Sequence, residues 1–154
     1  VNKNISMEQV RRTVAWTEAA GIRSKGYFII GFPNETQDTV QRTIDFALSL
    51  PLSDFQITFL TPFPGSEVHE IAKTTGEFDV VWDLMNMWDI VFGHHAQTNS
   101  YLIKKRNEAF RKFYLRPRII AKYAKLLLEK PKFIPLLFND FISFVKMVRA
   151  KPAH

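Results

Sequence analysis

The sequence contains no cysteine among its 154 residues. This absence excludes disulfide bonds, thiolate metal ligands and a cysteine nucleophile within the chain. No run of about 18 uncharged apolar residues occurs, so the sequence predicts no transmembrane helix. The chain also lacks a glycine-rich phosphate-binding loop, a Ser/His/Asp arrangement and a pair of carboxylates spaced for acid–base chemistry. Taken alone, the residues therefore assign no reaction.

The sequence does contain enough apolar material for one domain with a packed core. Hydrophobic residues make up 46% of the chain and aromatic residues 14%, which excludes wholesale disorder. The first residue is Val rather than Met. We therefore expect the chain to be a piece of a longer protein.

Charge is unevenly distributed along the chain. Residues 1–103 carry 7 Lys/Arg against 12 Asp/Glu, whereas residues 104–154 carry 14 against 3. The net charge of +6 thus combines a mildly acidic body with a strongly basic C-terminal third. Such a basic part could face phosphate, an anionic membrane or an acidic neighbouring domain.

The segment 27–36 predicts a strand, a tight loop and a helix. Tyr27–Ile30 is a short aromatic and β-branched run, typical of a strand buried on both faces. Gly31 ends this strand, and Pro33 prevents it from continuing. Thr36 is a good helix N-cap. In α/β proteins, ligands bind where the carboxyl end of a strand meets a helix N-terminus in this way.

Residues 1–76 predict the order αβαβα. The predicted elements are a helix from Ser6 to Gly21, a strand at Tyr27–Ile30, a helix at Thr36–Leu50, a strand at Phe55–Leu60 and a helix at Ser66–Thr75. The first helix has Met7, Val10 and Val14 on one face. The second strand alternates apolar residues with Gln56 and Thr58. Right-handed crossovers make the two strands parallel neighbours. Because two strands do not form a stable sheet alone, further strands must come from missing sequence or from another copy of the chain.

The remaining sequence predicts a connector followed by helices. Residues 77–99 have no clear periodicity, and we expect an irregular aromatic-rich segment with a short strand near Ile90–Phe92. From Ser100 the pattern is helical, with a kink or restart at Pro117. A final helix over residues 135–149 is apolar almost all round and needs cover on most of its surface.

Several features allow two interpretations. The segment Gly31–Thr36 is either a backbone-lined ligand edge or an ordinary turn with a good cap, and Glu35 is either catalytic or an electrostatic cap. The segment Thr61–Ser66 is either a stiff wall beside a ligand or a strand terminator. The pair His94-His95 invites a metal site, but adjacent histidines point in different directions and no nearby carboxylates support one.

The basic residues between positions 104 and 118 also allow two interpretations. Phe110 and Phe113 lie among them at core spacing, so a solvated or domain-facing basic surface fits better than nucleic-acid binding, which uses exposed aromatic residues. The last helix either lies on a membrane surface or packs on a missing domain.

Three segments in the right order resemble radical S-adenosylmethionine enzymes. Ile29–Thr36, IIGFPNET, resembles the superfamily's fifth-strand motif GxIxGxxE, with Tyr27 in place of its first glycine and Glu35 one residue later. Phe59–Ser66, FLTPFPGS, resembles the sixth strand and its loop. Ala109–Arg118, AFRKFYLRPR, resembles the helical extension of the cobalamin-binding members. Those members include magnesium-protoporphyrin IX monomethyl ester oxidative cyclases and several methyltransferases.

This resemblance implies an α/β fold in three parts. Residues 1–76 would be the C-terminal part of a TIM-like radical S-adenosylmethionine barrel with two parallel βα units. Residues 77–99 would form the irregular connector, and residues 100–154 a basic helical extension.

The resemblance also implies cofactors and partners. In the family, a [4Fe–4S] cluster on a CxxxCxxC loop cleaves S-adenosylmethionine, and an N-terminal Rossmann-like domain holds cobalamin. Without cysteine this chain would be an inactive C-terminal fragment of a cytoplasmic, or membrane-peripheral, enzyme. Its partners would be the missing barrel half and the cobalamin domain of the same protein. The small-molecule substrate is not identified by the resemblance. Self-association of the fragment is left open.

Three residues carry over as cofactor-binding, and none as catalytic or metal-ligating. Ile29 would pack on the adenine of S-adenosylmethionine, Gly31 would allow close backbone approach, and Leu60 would lie near the same ring. The alternative to the enzyme is a non-enzymatic basic helical module that binds an anionic membrane surface or a partner domain.

Overall fold

The structure is a computed structural model that describes residues 4–78, 85–86, 89–94, 99–129, 135 and 142. Its elements are α1 (Met7–Ala19), β1 (Lys25–Ile30), α2 (Gln37–Ser49), β2 (Asp54–Phe59), α3 (Glu67–Thr75), β3 (Gly76–Phe78), β4 (Phe92–His94), α4 (Asn99–Tyr114) and α5 (Pro117–Glu129). The predicted αβαβα order over the first part of the chain is confirmed.

Helix α1 begins and ends where local signals predict. The Ser6 hydroxyl accepts a hydrogen bond from the Gln9 amide, and the Gln9 side chain accepts one from the Ser6 amide, which is a capping box. At the other end Gly21 has φ +72°, the left-handed geometry of a helix C′ residue. The predicted apolar face is not buried, however, since none of the residues of α1 is buried by the described chain.

Strands β1 and β2 form a parallel pair, as predicted. Their register runs from Lys25 opposite Asp54 to Ile30 opposite Phe59. One further bond, from the Leu60 amide to the Ile30 carbonyl oxygen at 2.9 Å, extends the pairing beyond β2. The two strands therefore end at the same edge, with their carboxyl ends side by side.

The prediction that β1 is buried on both faces is wrong in this structure. One face carries Phe28 and Ile30 and lies against α2, whose apolar stripe of Val40, Ile44 and Ala47 is buried. On the opposite face, Tyr27 is 69% exposed and Ile29 is 42% exposed. A parallel strand is buried on both faces only when layers cover both, and the described residues cover only one.

The predicted polar alternation of β2 also fails at one position. Thr58 faces the same side as Ile29, but it is buried. Its hydroxyl donates a hydrogen bond to the Phe28 carbonyl oxygen at 3.3 Å, which satisfies the polar group that burial removes from water. The rest of the alternation holds, with Phe55, Ile57 and Phe59 buried.

A second, antiparallel pair lies in the predicted irregular connector. Strand β3 pairs with β4 from Gly76 opposite His94 to Phe78 opposite Phe92. The strand expected near Ile90–Phe92 thus lies two residues later, and β3 was not predicted because a three-residue strand is too short to show a period. Trp82 and Trp88 lie outside the described residues.

Two helices follow. Helix α4 begins at Asn99, and α5 begins at Pro117 after a short turn, so the proline restarts the helix and occupies the favourable first position. The chain divides into two units, residues 1–102 and 103–154. In the described part of the chain, no helix has the length and apolarity that crossing a membrane requires. The predicted final helix over 135–149 lies almost wholly outside the described residues.

Candidate functional site

The structure brings the three predicted site residues together at the carboxyl ends of β1 and β2. Ile29 and Gly31 lie two residues apart at the carboxyl end of β1, and the register places Ile29 beside Thr58. Leu60 follows β2 and lies beside Gly31, because a Cβ built on Gly31 would be 3.9 Å from the Leu60 amide nitrogen. Ile29 is half-exposed and Leu60 is buried. Their predicted contact with adenosine stays a prediction.

Gly31 has a conformation that suits only glycine. Its φ is +92°, where a side chain would strain the backbone. The chain then turns tightly, since the Glu35 amide donates to the Phe32 carbonyl oxygen at 3.0 Å and Pro33 is buried between them. This turn redirects the chain from β1 to α2 within a few residues.

The Glu35 carboxylate is hydrogen-bonded to backbone amides at the start of this loop. Its Oε2 atom accepts hydrogen bonds from the amides of Gly31 at 2.6 Å and Phe32 at 3.0 Å. Burial raises the pKa of this carboxyl above its ordinary value, and the two amide hydrogen bonds act in the opposite direction. The geometry shows Glu35 organising the end of β1.

The cap of α2 is a separate arrangement from the Glu35 carboxylate. Thr36 accepts a bond from the Thr39 amide at 3.3 Å, and the Thr39 hydroxyl accepts one from the Thr36 amide at 2.8 Å. Thr36 is therefore the N-cap that the sequence predicts. The Glu35 carboxylate therefore stabilises the loop, and Thr36 caps the helix.

Leu102 is a neighbour of Gly31 that the sequence did not predict. Its Cδ1 atom lies 3.4 Å from the position of a Cβ built on Gly31, and its side chain is only 3% exposed. The preceding residue, Tyr101, donates its hydroxyl to the Gln37 carbonyl oxygen at 3.2 Å. The first turn of α4 thus packs beside the position that a side chain at residue 31 would take. The sequence offers no local signal for this contact, because the two residues are distant in the chain.

The loop after β2 is held by its own hydrogen bonds. The Ser66 hydroxyl donates to the Phe63 carbonyl oxygen at 2.7 Å, and buried His69 contacts the Pro62 carbonyl oxygen through Nδ1 at 3.0 Å. A carbonyl oxygen only accepts, so Nδ1 carries the proton in this contact. Phe63, between its two prolines, is half-exposed. A loop held by these hydrogen bonds fits both interpretations of the segment, as a wall beside a ligand and as a strand terminator.

The described residues contain no group of three or more His, Asp or Glu side chains that could hold a metal ion. His94 lies in β4, whereas His95 lies outside the described residues. The predicted pair is therefore described only in part.

Comparison with known proteins relates the chain to enzymes. No protein-family model matches it. It is 32% identical over 123 residues to an uncharacterized methyltransferase of Pyrococcus horikoshii, a match that covers 79% of this chain and 27% of that protein. It is 27% identical over 121 residues to bacteriochlorophyllide d C-12(1)-methyltransferase of Chlorobaculum tepidum, covering 78% and 26%. It is 25% identical over 116 residues to the anaerobic magnesium-protoporphyrin IX monomethyl ester cyclase of Rubrivivax gelatinosus, covering 75% and 20%.

The chain spans about a quarter or less of the length of these curated relatives. The predicted relationship to methyltransferases and to a magnesium-protoporphyrin monomethyl ester cyclase is confirmed at this level. By sequence, therefore, the chain is related to methyltransferases and to a cyclase.

Proposed function

We propose that this chain is the part of a radical S-adenosylmethionine enzyme, of methyltransferase or oxidative cyclase type, that contributes the adenosine-side edge of a TIM-like barrel. The observation that carries the proposal is the placement of Ile29, Gly31 and Leu60 together at the carboxyl ends of two parallel strands. Ligands of α/β proteins bind at this end of the sheet. The relationship to methyltransferases and a cyclase supports it.

The residues present fit the adenosine part of S-adenosylmethionine. Ile29 offers exposed apolar surface against which a purine ring could pack, and the Gly31 loop is held in shape by Glu35. Leu60 supplies a buried apolar neighbour. When bound, S-adenosylmethionine supplies either the methyl group or the 5′-deoxyadenosyl group for the chemistry. The role of these residues is to bind and orient the nucleoside.

The residues present do not fit an iron–sulfur cluster. The chain has no cysteine, and thiolates are the usual ligands of such clusters. In this proposal the cluster and cobalamin belong to other parts of the same protein, and the chain alone is inactive. Its principal partners are then the remaining barrel strands and the cobalamin domain.

The uncovered face of β1 supports such a partner. Tyr27 and Ile29 point away from α2 and are exposed, and a two-stranded sheet is marginal by itself. In a closed barrel this face would line the interior, where the ligand binds at the carboxyl end. The missing strands would cover Tyr27 and leave Ile29 beside the ligand.

The proposal is tested on the full-length protein, reconstituted with iron and sulfide without oxygen and supplied with S-adenosylmethionine and with dithionite as the one-electron reductant. Cluster formation is followed by absorbance, and 5′-deoxyadenosine by chromatography. The expected result is nucleoside release that stops when the cysteines of the CxxxCxxC motif are replaced by Ala. An upstream sequence without that motif, or no cleavage by a protein with an intact cluster, would contradict the assignment.

Substrates can then be tested in an order set by the relatives. Two of them are named for bacteriochlorophyllide d and for magnesium-protoporphyrin IX monomethyl ester. We propose these two macrocycles as the first candidates. Mass spectrometry distinguishes a gain of one methyl group from ring formation.

The second candidate function is a basic interaction module without catalysis. Helices α4 and α5 expose several cations, among them Lys104, Arg111, Lys112 and Arg118, although Arg106 is buried. Sedimentation with anionic vesicles at low and high salt tests it in the full-length protein. Binding that weakens steeply with salt supports the module, and no binding leaves the helices as scaffold.

A further inference from the structure

We infer that Leu102 is a positioning residue for the loop Gly31–Glu35, so that the first turn of α4 forms part of the candidate site. The inference rests on the proposed function for the identity of the ligand, but its structural part does not. Nothing in the sequence or in the names of the relatives assigns a role to this leucine. The contacts of the described residues carry it.

Two side chains contact the start of the loop. The Glu35 carboxylate accepts hydrogen bonds from the N–H groups of Gly31 and Phe32. In addition, the Leu102 Cδ1 atom lies 3.4 Å from the position of a Cβ built on Gly31, which is van der Waals contact distance. Glycine has more conformational freedom than any other residue, so two packed neighbours are what fixes Gly31 at φ +92°. Removing one of them frees the end of β1.

Tyr101 holds this leucine in place. Its hydroxyl bonds the carbonyl oxygen of Gln37, which is the first residue of α2. The first turn of α4 therefore contacts the chain at Gly31, where the loop begins, and at Gln37, two residues after the loop ends. A turn that contacts both ends of a short loop limits how far that loop can open.

The chain offers a closely matched control at the other end of β1. Leu52 is 3% exposed, like Leu102, and its Cδ1 atom lies 2.6 Å from the position of a Cβ built on Gly26. Gly26 lies near the amino end of the strand, away from the candidate site. Each leucine is almost fully buried beside a glycine of the same strand, so Leu52→Ala reports the effect of lost packing at the end of β1 that lies away from the candidate site.

The experiment compares Leu102→Ala with Leu52→Ala in the full-length protein. The first readout is hydrogen exchange at the amides of Gly31 and Phe32, and the second is the calorimetric Kd for S-adenosylhomocysteine. We expect exchange at these amides and the Kd both to rise about tenfold in Leu102→Ala only. Leu102→Met should restore both values. If either alanine variant fails to fold, the pair Leu102→Val and Leu52→Val replaces it.

The outcomes separate this inference from the proposed function. Equal exchange at Gly31 and Phe32 in the two leucine variants would overturn the positioning role, whatever the protein binds. Faster exchange in Leu102→Ala alone would support it even if the wild-type protein failed to bind S-adenosylhomocysteine, a failure that would count against the proposed function. Faster exchange with an unchanged Kd would overturn the role of Leu102 in ligand binding.

Discussion

The Glu35 carboxylate accepts a 2.6 Å hydrogen bond from the amide of Gly31, four residues earlier in the chain. Because the same oxygen also accepts from Phe32, a single side chain satisfies two amides that would otherwise have no partner at the end of β1. A hydrogen bond to a charged acceptor is stronger than one between neutral groups. The conformation of the candidate site at the end of β1 thus depends on the Glu35 carboxylate.

Replacing Glu35 tests this dependence. Glu35→Ala leaves two amides without their acceptor, and we expect a loss of about 2 kcal/mol in the free energy of unfolding. Glu35→Gln keeps an acceptor oxygen and should lose less. Denaturant unfolding of the full-length protein measures both. Glu70→Ala, which removes an exposed ion pair with Lys73, should have almost no effect, and a cost equal to that of Glu35→Ala would contradict the loop role.

The raised pKa of Glu35 predicts a pH dependence. Burial is the largest cause of the shift above the ordinary value of 4.5, so the folded state holds its proton more tightly than the unfolded state does. The stabilisation is complete below the unfolded pKa and is lost as pH rises through the folded pKa. The wild type should therefore lose stability relative to Glu35→Gln as pH rises above about 4.5. Paired thermal melts across this range measure both proteins, and a wild-type stability that rises or stays constant relative to Glu35→Gln would contradict the shift.

Gly31→Ala should affect both stability and ligand binding. The positive φ of Gly31 strains any other residue, at a cost of about 1–2 kcal/mol. Gly21→Ala has the same kind of strain at φ +72°, but nothing lies within 4 Å of its added Cβ. Both variants should melt at lower temperature, whereas only Gly31→Ala should weaken binding of S-adenosylhomocysteine in the full-length protein. Equal affinities for S-adenosylhomocysteine in the two variants would contradict a role of Gly31 in ligand binding.

His69→Phe tests the loop after β2. The replacement keeps an aromatic ring but removes the Nδ1 contact with the Pro62 carbonyl oxygen, and an unsatisfied buried carbonyl costs about 1–3 kcal/mol. We expect a lower melting temperature and faster proteolysis within Thr61–Ser66. Lys73→Ala, on the exposed side of the same helix, is the control. Cleavage no faster than in that control would show that His69 does not hold the loop.

The sequence predicts well wherever a local signal decides the structure. Ser6, Gly21 and Thr36 mark helix ends through their own hydrogen bonds and backbone angles. The parallel pairing of β1 and β2 follows from the helix that connects them, since consecutive strands joined by a helical crossover are typically parallel. These inferences concern the chain's own neighbours, so no other part of the fold has to be known.

What the sequence could not predict depends on partners distant in the chain. The exposure of Tyr27 reflects the lack of a second covering layer among the residues that the structure describes, which the composition of β1 does not reveal. The contact of Leu102 with Gly31 joins residues 71 positions apart, and burial of Thr58 depends on a carbonyl oxygen of the other strand. The bonds of Glu35 were missed because the residue was interpreted as a possible helix cap.

The measurement that tests the central claim most directly is titration of S-adenosylmethionine into the full-length protein under anaerobic conditions. Ile29→Asp places a charge on the exposed face where adenine is proposed to pack, and Ile22→Asp is the control, because Ile22 is 60% exposed and precedes β1. We expect the wild type and Ile22→Asp to bind alike, and Ile29→Asp to bind at least about tenfold more weakly. Failure of the wild type to bind, or equal affinity in the two variants, would contradict an adenosine-side edge at the carboxyl ends of β1 and β2.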